Sequence, residues 1–299
     1  MTGMADARAR IAAAPISWGV CEVPGWGVQL APERVLDEMA ALGLRATEAG
    51  PDGFLPADPR AAAALLAARG IELVGAFVPV VLHREDRGDP LAPVRRALAL
   101  LLEGRAAARD VLVLAATTGE HGYDAGAALD AAAWRRLLAG LDAARELCGE
   151  AGVRCALHPH VGTLVERAEH VERVLSGSAI ELCLDTGHLM AGGADPVAIA
   201  RTAARRISHV HLKDVDAALA ARVADGSLAY SRAVRDGLYR PLGAGDVDVA
   251  AIAGALEAAG YDGWYVLEQD VMLDAEPPAG GGPLADVRAS AEHLRGLLA

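Results

Sequence analysis

No stretch of the chain approaches the roughly 20 uninterrupted apolar residues that a membrane span requires, although 53% of its 299 residues are hydrophobic. The N-terminus, MTGMADARARIAAAP, has no proper apolar core ahead of a cleavage site. A cytoplasmic protein without a membrane partner is therefore expected. Aromatic residues reach only 4%, and much of the apolar excess is alanine, in runs such as Ala61 to Ala64 and Ala131 to Ala133. Alanine is the best helix former, so these runs read as helix surfaces and interfaces. Basic charge is also short: 28 Lys and Arg face 40 Asp and Glu, a formal net charge of -12. Nucleic-acid binding needs cations that neutralise phosphates, so no nucleic-acid partner is expected, and a small neutral substrate or a cation fits better. Paired cysteine spacing is missing. Cys21, Cys148, Cys155 and Cys183 are scattered, which argues for structural thiols over disulfides or a zinc knot.

What the chain does have is alternation. Apolar runs of strand length are each followed by a longer helical segment, the signature of a parallel sheet. The strands read Ile11 to Ser17, Leu44 to Glu48, Ile71 to Phe77, Val111 to Ala115, Val153 to His158, Ile180 to Asp185, Ile207 to His211 and Gly263 to Glu268. The helices read Pro32 to Ala41, Pro59 to Arg69, Leu91 to Arg109, Asp130 to Glu150, Val165 to Leu175, Pro196 to Arg205, Val249 to Ala259 and Leu284 to Leu298. Glycine just past helices at Gly43, Gly70, Gly152 and Gly260, and proline at helix starts at Pro32, Pro59 and Pro196, punctuate the pattern. Eight units without a linker predict one α/β domain over residues 1–299, a single (β/α)8 TIM barrel. The long insertion at Val215 to Asp246, rich in charge and glycine, follows the seventh strand and reads as a lid.

None of the nine histidines precedes His83, yet His158, His160, His188, His209 and His211 crowd the ends of strands five to seven. Glu48, Asp185 and Glu268 end strands two, six and eight. The C-terminal face of a barrel builds its active site. In Ser208-His209-Val210-His211 the two-residue period turns both imidazoles to one face, with His211 nearer the mouth and the better ligand, and His209 one layer below or supporting it. Pro159 ends its strand between His158 and His160. Asp185-Thr186-Gly187-His188 closes a strand with a carboxylate, turns on glycine and presents an imidazole. Carboxylates and imidazoles converging from neighbouring strands suit a divalent cation. Glu48 with Asp52 reads either as a substrate clamp or as a solvated loop, and Lys213-Asp214 either as a contact to substrate hydroxyls or as a surface pair.

Other chemistry is excluded by what is missing. Gly243-Ala244-Gly245 lacks the third glycine and preceding strand of a dinucleotide fingerprint, and no nucleophile elbow supports a serine triad.

Leu182-Cys183-Leu184-Asp185-Thr186-Gly187-His188, His209-Val210-His211-Leu212-Lys213-Asp214, Pro241-Leu242-Gly243-Ala244-Gly245 and Val266-Leu267-Glu268 resemble the xylose-isomerase-like superfamily of sugar isomerases and epimerases. Pro15-Ile16-Ser17-Trp18-Gly19, Ala46 to Pro56 and Gly75 to His83 are similar to its inosose-dehydratase-like branch. The resemblance implies one divalent metal ion, Mn2+ or Co2+ ahead of Zn2+, Fe2+ or Mg2+, held by Asp185, His211 and Glu268, with His188 touching substrate. Glu48, Trp18 and Lys213 join His188 as expected substrate contacts. Epimerases of the superfamily have a glutamate at the end of strand five, serving as ligand and base; here His158 stands in its place and is the fourth expected ligand. The second carboxylate base is then missing, and the cation is less neutralised and a better Lewis acid.

Both effects favour elimination of water from a small polyhydroxylated carbonyl compound, a keto-cyclitol such as 2-keto-myo-inositol, over epimerisation. Glu268 is the candidate base, or His160 if the bound carboxylate is too weak. His188 or His160, with an ordinary pKa near ~6.5, is the candidate acid. A metal-dependent sugar isomerase or epimerase and a non-catalytic sugar-binding barrel are the competing readings. An amidohydrolase would carry His-x-His on strand one, and an endonuclease of the superfamily would carry more ligands and a basic face. A homo-oligomer, dimer or tetramer, is expected because large barrels often pair.

Overall fold

Every one of the eight apolar runs becomes a parallel strand, and the sheet they form closes on itself. The computed structural model describes residues 7–86, 88–103, 109–120, 122–124 and 126–299. The barrel strands are β1 (Ile11–Ala13), β2 (Ala46–Glu48), β3 (Glu72–Val80), β4 (Val111–Ala116), β5 (Arg154–Leu157), β6 (Glu181–Asp185), β7 (Ile207–Leu212) and β10 (Tyr265–Leu267). Closure comes from β10, which pairs with β7 on one edge and β1 on the other, Val266 lying opposite both His211 and Ala12. Two short strands, β8 (Asp214–Val215) and β9 (Tyr239–Arg240), form an antiparallel pair outside the barrel.

The helices between strands are α1 (Pro32–Ala41), α2 (Pro59–Ala67), α3 (Ala92–Glu103), α4 (Ala131–Glu150), α5 (Ala168–Gly177), α7 (Pro196–Thr202), α10 (Val249–Ala258) and α11 (Pro283–Leu297). Prolines 32, 59 and 196 each occupy the first helical position, where the missing N–H has no intrahelical partner to lose. Gly43 and Gly260 follow helices in the left-handed conformation, φ 71° and 81°. The helix expected from Leu91 to Arg109 is α3 for its first part; its residues 104–108, like the first six of the chain, lie outside the described residues.

Three expectations shift. The first strand stops at Ala13 rather than Ser17, because Pro15 opens a 3-10 turn, Pro15–Trp18, that ends on left-handed Gly19. The helix expected from Val165 begins at Ala168 because the preceding backbone is committed to the barrel rim, with Leu164 N donating to Ala116 O and His160 N to Val165 O. Asp185 is followed at once by an unexpected helix, α6 (Thr186–Ala191), and the insertion contains two more, α8 (Ala217–Ala224) and α9 (Tyr230–Arg235).

Side chains alternate along each strand between the barrel interior and the helix layer. Leu112, Leu114, Leu182, Leu184, Val210 and Leu212 belong to the large core against the helices. Ala12, Ala14, Ala46 and Val266 form one small cluster inside, and Val111, Val113, Ala156 and Cys183 another. Most of these interior residues are small, which leaves room above them for the long polar side chains at the C-terminal ends. All four cysteines are free, and Cys148, Cys155 and Cys183 are buried. Among the described residues, no helix is long and apolar enough to cross a membrane.

Candidate active site

The same alternation aims His158, Asp185, His211 and Glu268 inward. Asp185 and His211 are register partners across β6 and β7. His211 Nδ1 lies 2.7 Å from Glu268 Oε2 and 3.5 Å from Asp185 Oδ2. Despite that proximity, neither His211 Nδ1 nor Glu268 Oε2 completes a hydrogen bond. These two buried atoms thus face a common space off the hydrogen-bond line, and, against the effect of burial, Cys183, Glu268 and Glu48 raise the pKa of His211. His158 Nε2 is 3.0 Å from Asp185 Oδ2, and the ligand atoms of His158, Asp185 and His211 lie within 4.8 Å of one another. Ligand distances of roughly 2.0–2.2 Å around one ion would produce such spacing, so His158, Asp185 and His211 fit one divalent cation, and Glu268 adjoins this group through His211 Nδ1.

Glu48, Glu268 and Asp185 are all buried. Burial would raise their pKa values, but neighbours win. His211 and His209 hold Glu48 well below the carboxylate range, His211 and Lys213 do so for Glu268, and Lys213 does so for Asp185. Asp185 has a further duty at the start of α6, where its Oδ1 accepts from His188 N at 2.7 Å.

Glu48 was expected either to clamp substrate with Asp52 or to lie in a solvated loop. The solvated-loop reading does not hold, since Glu48 is buried, whereas Asp52 is exposed. Glu48 Oε1 accepts from His209 Nε2 at 2.7 Å and from His211 Nε2 at 2.9 Å, although the residue also lines the cavity. These three could themselves be read as a ligand group; one oxygen gripped by two ring N–H groups is better described as a tie that orients His211.

His160 also lines the cavity. Its Nδ1–H donates to Val161 O at 2.7 Å, which leaves Nε2 with the lone pair. The His188 ring stacks 3.6 Å away by centroid. Burial, then His158 and Lys213, lower the His160 pKa to about 3, and burial followed by His160 lowers that of His188. Both are neutral at physiological pH. At rest neither is an imidazolium, so either can give the leaving hydroxyl only a proton that it has first accepted.

Lys213 is buried, which removes the surface-pair reading. Its ammonium donates to Glu268 Oε1 and, at 2.6 Å, to Asp270 Oδ1, and lies 3.5 Å from Asp185 Oδ2. It stands behind the cavity wall, holding carboxylates. Asp214 is structural: its oxygens accept from the backbone N–H of Gly243, Gly245 and Val247, which is what the Pro241 to Gly245 turn serves. Trp18 does not reach the cavity. It is fully buried and its indole donates to Glu38 Oε2 of α1 at 2.8 Å, so it belongs to the core.

Sequence reasoning missed Asp270, which lines the cavity two residues beyond Glu268, because β10 ends at Leu267 and its period carries no further. Tyr230 and Tyr239, joined by hydroxyls 3.1 Å apart, come from the insertion, where no periodicity marks them. The roof is shared by distant segments. The Tyr123 hydroxyl donates to Glu22 Oε1, and Ser231 at the start of α9 donates its N–H and hydroxyl to Asp124.

Comparison with known proteins agrees with this architecture. The model of the xylose isomerase-like TIM barrel family matches residues 36–297. Inosose dehydratase of Geobacillus kaustophilus is 31% identical over 97% of this chain and 94% of its own. The rhizopine catabolism protein MocC of Rhizobium meliloti is also 31% identical, over 97% of this chain and 89% of its own. A solved structure of the IolI protein with a binding zinc atom shares the fold at a TM-score of 0.67 and 13% identity, covering 97% of this chain and 98% of that one. With the family model spanning most of the barrel and relatives matching nearly end to end, the chain belongs to the xylose isomerase-like TIM barrel family.

Proposed function

We propose that this protein is a carbon–oxygen lyase that eliminates water from a keto-cyclitol such as 2-keto-myo-inositol. The observation that carries the reading is the wall formed by β5 and its loop. The imidazoles of His158 and His160 occupy it where a two-base epimerase would need a carboxylate. Relatives of nearly full length named inosose dehydratase support the substrate class.

His158, Asp185, His211 and Glu268 would hold one divalent cation, Mn2+ or Co2+ by preference, which when bound supplies Lewis-acid polarisation of the substrate carbonyl. Glu268 is poorly suited to be the base, because Lys213 engages Oε1 and Oε2 faces His211. His160 is better suited. Its Nδ1–H is fixed on Val161 O, and Nε2 is the atom left to take the proton α to the carbonyl. A proton acceptor with a pKa lowered to about 3 in its resting state takes a proton only from a strongly acidified carbon and gives it up readily. The proton from Nε2 then passes to the departing hydroxyl, so one group serves both steps and the balance is one water lost. Stacked His188 and the Val161 carbonyl keep the ring in place during the transfer.

The test is to load the purified protein with Mn2+ or Co2+ and follow enone absorbance on adding 2-keto-myo-inositol. A metal-dependent rise is expected. No rise, together with interconversion of ketoses and aldoses, would replace the lyase with an isomerase.

A further inference from the structure

Asp270 takes no part in the proton transfers above, yet its carboxylate shares the cavity wall with Glu268 and His211. It is only 7% exposed. Lys213 Nζ grips Oδ1 at 2.6 Å, and the Tyr230 hydroxyl donates to Oδ2. The Tyr239 hydroxyl backs Tyr230 at 3.1 Å, and His188 Nε2, which has no hydrogen-bond partner, lies 3.9 Å from Oδ2. The carboxylate is thus held on a rigid mount supplied by β7 and the insertion.

A carboxylate has about four acceptor positions, and the protein fills two. An apolar occupant would displace water from the others and leave them without donors, at a cost in desolvated charge. An occupant that bears hydroxyl groups meets them directly. We propose that Asp270 is the specificity-determining residue that accepts hydrogen bonds from ring hydroxyls of the substrate, with Lys213 and Tyr230 as positioning residues. This deepens the keto-cyclitol reading and rests on it for the identity of the ring. It also gives the insertion a role in substrate choice: α9 delivers Tyr230 to the mount.

Calorimetric titration of myo-inositol, which carries the ring hydroxyls but no carbonyl, tests the idea on Mn2+-loaded wild type, Asp270→Asn, Asp270→Ala and Tyr230→Phe. Both Asp270 variants are expected to bind about tenfold or more weakly, and Tyr230→Phe a few-fold more weakly, with metal stoichiometry kept and circular dichroism showing a folded barrel below a lowered thermal midpoint. Within a set of monodeoxy-inositols, one should show the same loss against wild type and no further loss against Asp270→Asn. Undiminished binding by Asp270→Asn and Asp270→Ala would overturn the proposal. So would loss of metal from both, which would assign Asp270 to the ion instead. Asp270-dependent polyol binding without enone formation would remove the lyase reading alone; enone formation by Asp270→Asn at the wild-type KM and kcat would remove this inference alone.

Discussion

His211 Nε2 donates to Glu48 Oε1 at 2.9 Å, and that bond decides which ring nitrogen is left to face Asp185 and Glu268. His209 holds the same oxygen at 2.7 Å, so the carboxylate cannot swing away. If Glu48 orients the ligand in this way, Glu48→Gln should weaken metal binding by about 10–100-fold while the fold persists. Competition with a chelator measures it. Unaltered affinity would detach Glu48 from the metal site.

Acid should unfold the protein partly through its buried imidazoles. His160 has a pKa lowered from 6.5 to about 3, chiefly by burial and then by His158 and Lys213. Between those values the unfolded chain holds a proton that the folded chain refuses. The stability it contributes is complete above about pH 6.5 and falls as pH drops towards 3. His188 and His209 shift in the same direction. In urea titrations, His160→Gln should gain on the wild type between about pH 7 and about pH 5. A constant difference would mean that His160 is not held neutral.

The histidine at position 158 is expected to set the reaction outcome. His158→Glu places a carboxylate where the superfamily's epimerases carry one. Elimination should fall by about tenfold or more, while exchange of the α-proton with solvent continues. Proton NMR in heavy water follows both processes at once. Elimination at the wild-type rate would show that the imidazole does not steer the chemistry.

Gly187 is expected to tolerate no side chain. A Cβ there would lie 2.7 Å from both Lys213 Cβ and Tyr239 Cε1, and neither atom is the loose end of a chain. Gly187→Ala should destabilise the protein by about 1–3 kcal/mol through overpacking. Thermal or urea denaturation reads it, and a neutral result would show that the β8–β9 pair yields to the added methyl.

Much of the barrel was legible because a buried parallel strand is a short apolar run, and eight such runs are hard to mistake. The set of Asp185, His211 and Glu268 was legible for a related reason: each stands at the C-terminal end of an apolar run, and the family resemblance grouped the three. Contacts between strands are another matter. That Glu48 reaches His209 and His211 from β2 depends on the closed barrel, so its own neighbourhood in the chain, near exposed Asp52, gave no sign of those partners. Trp18 was assigned from a motif, which says nothing about the direction of the indole; Glu38 decides that. Six-residue helices such as α6 and α9 are too short for periodicity to register, and with α9 went Tyr230.

Asp185 ends β6, starts α6 through His188 N, and turns its other oxygen towards His158 and His211. An inactive variant made at this position would therefore be ambiguous, since a collapsed helix start and an emptied ion site look alike in an activity assay. Glu268, with no helix to begin, is the cleaner place to build a knock-out control, and comparing the two variants by circular dichroism would separate architecture from chemistry.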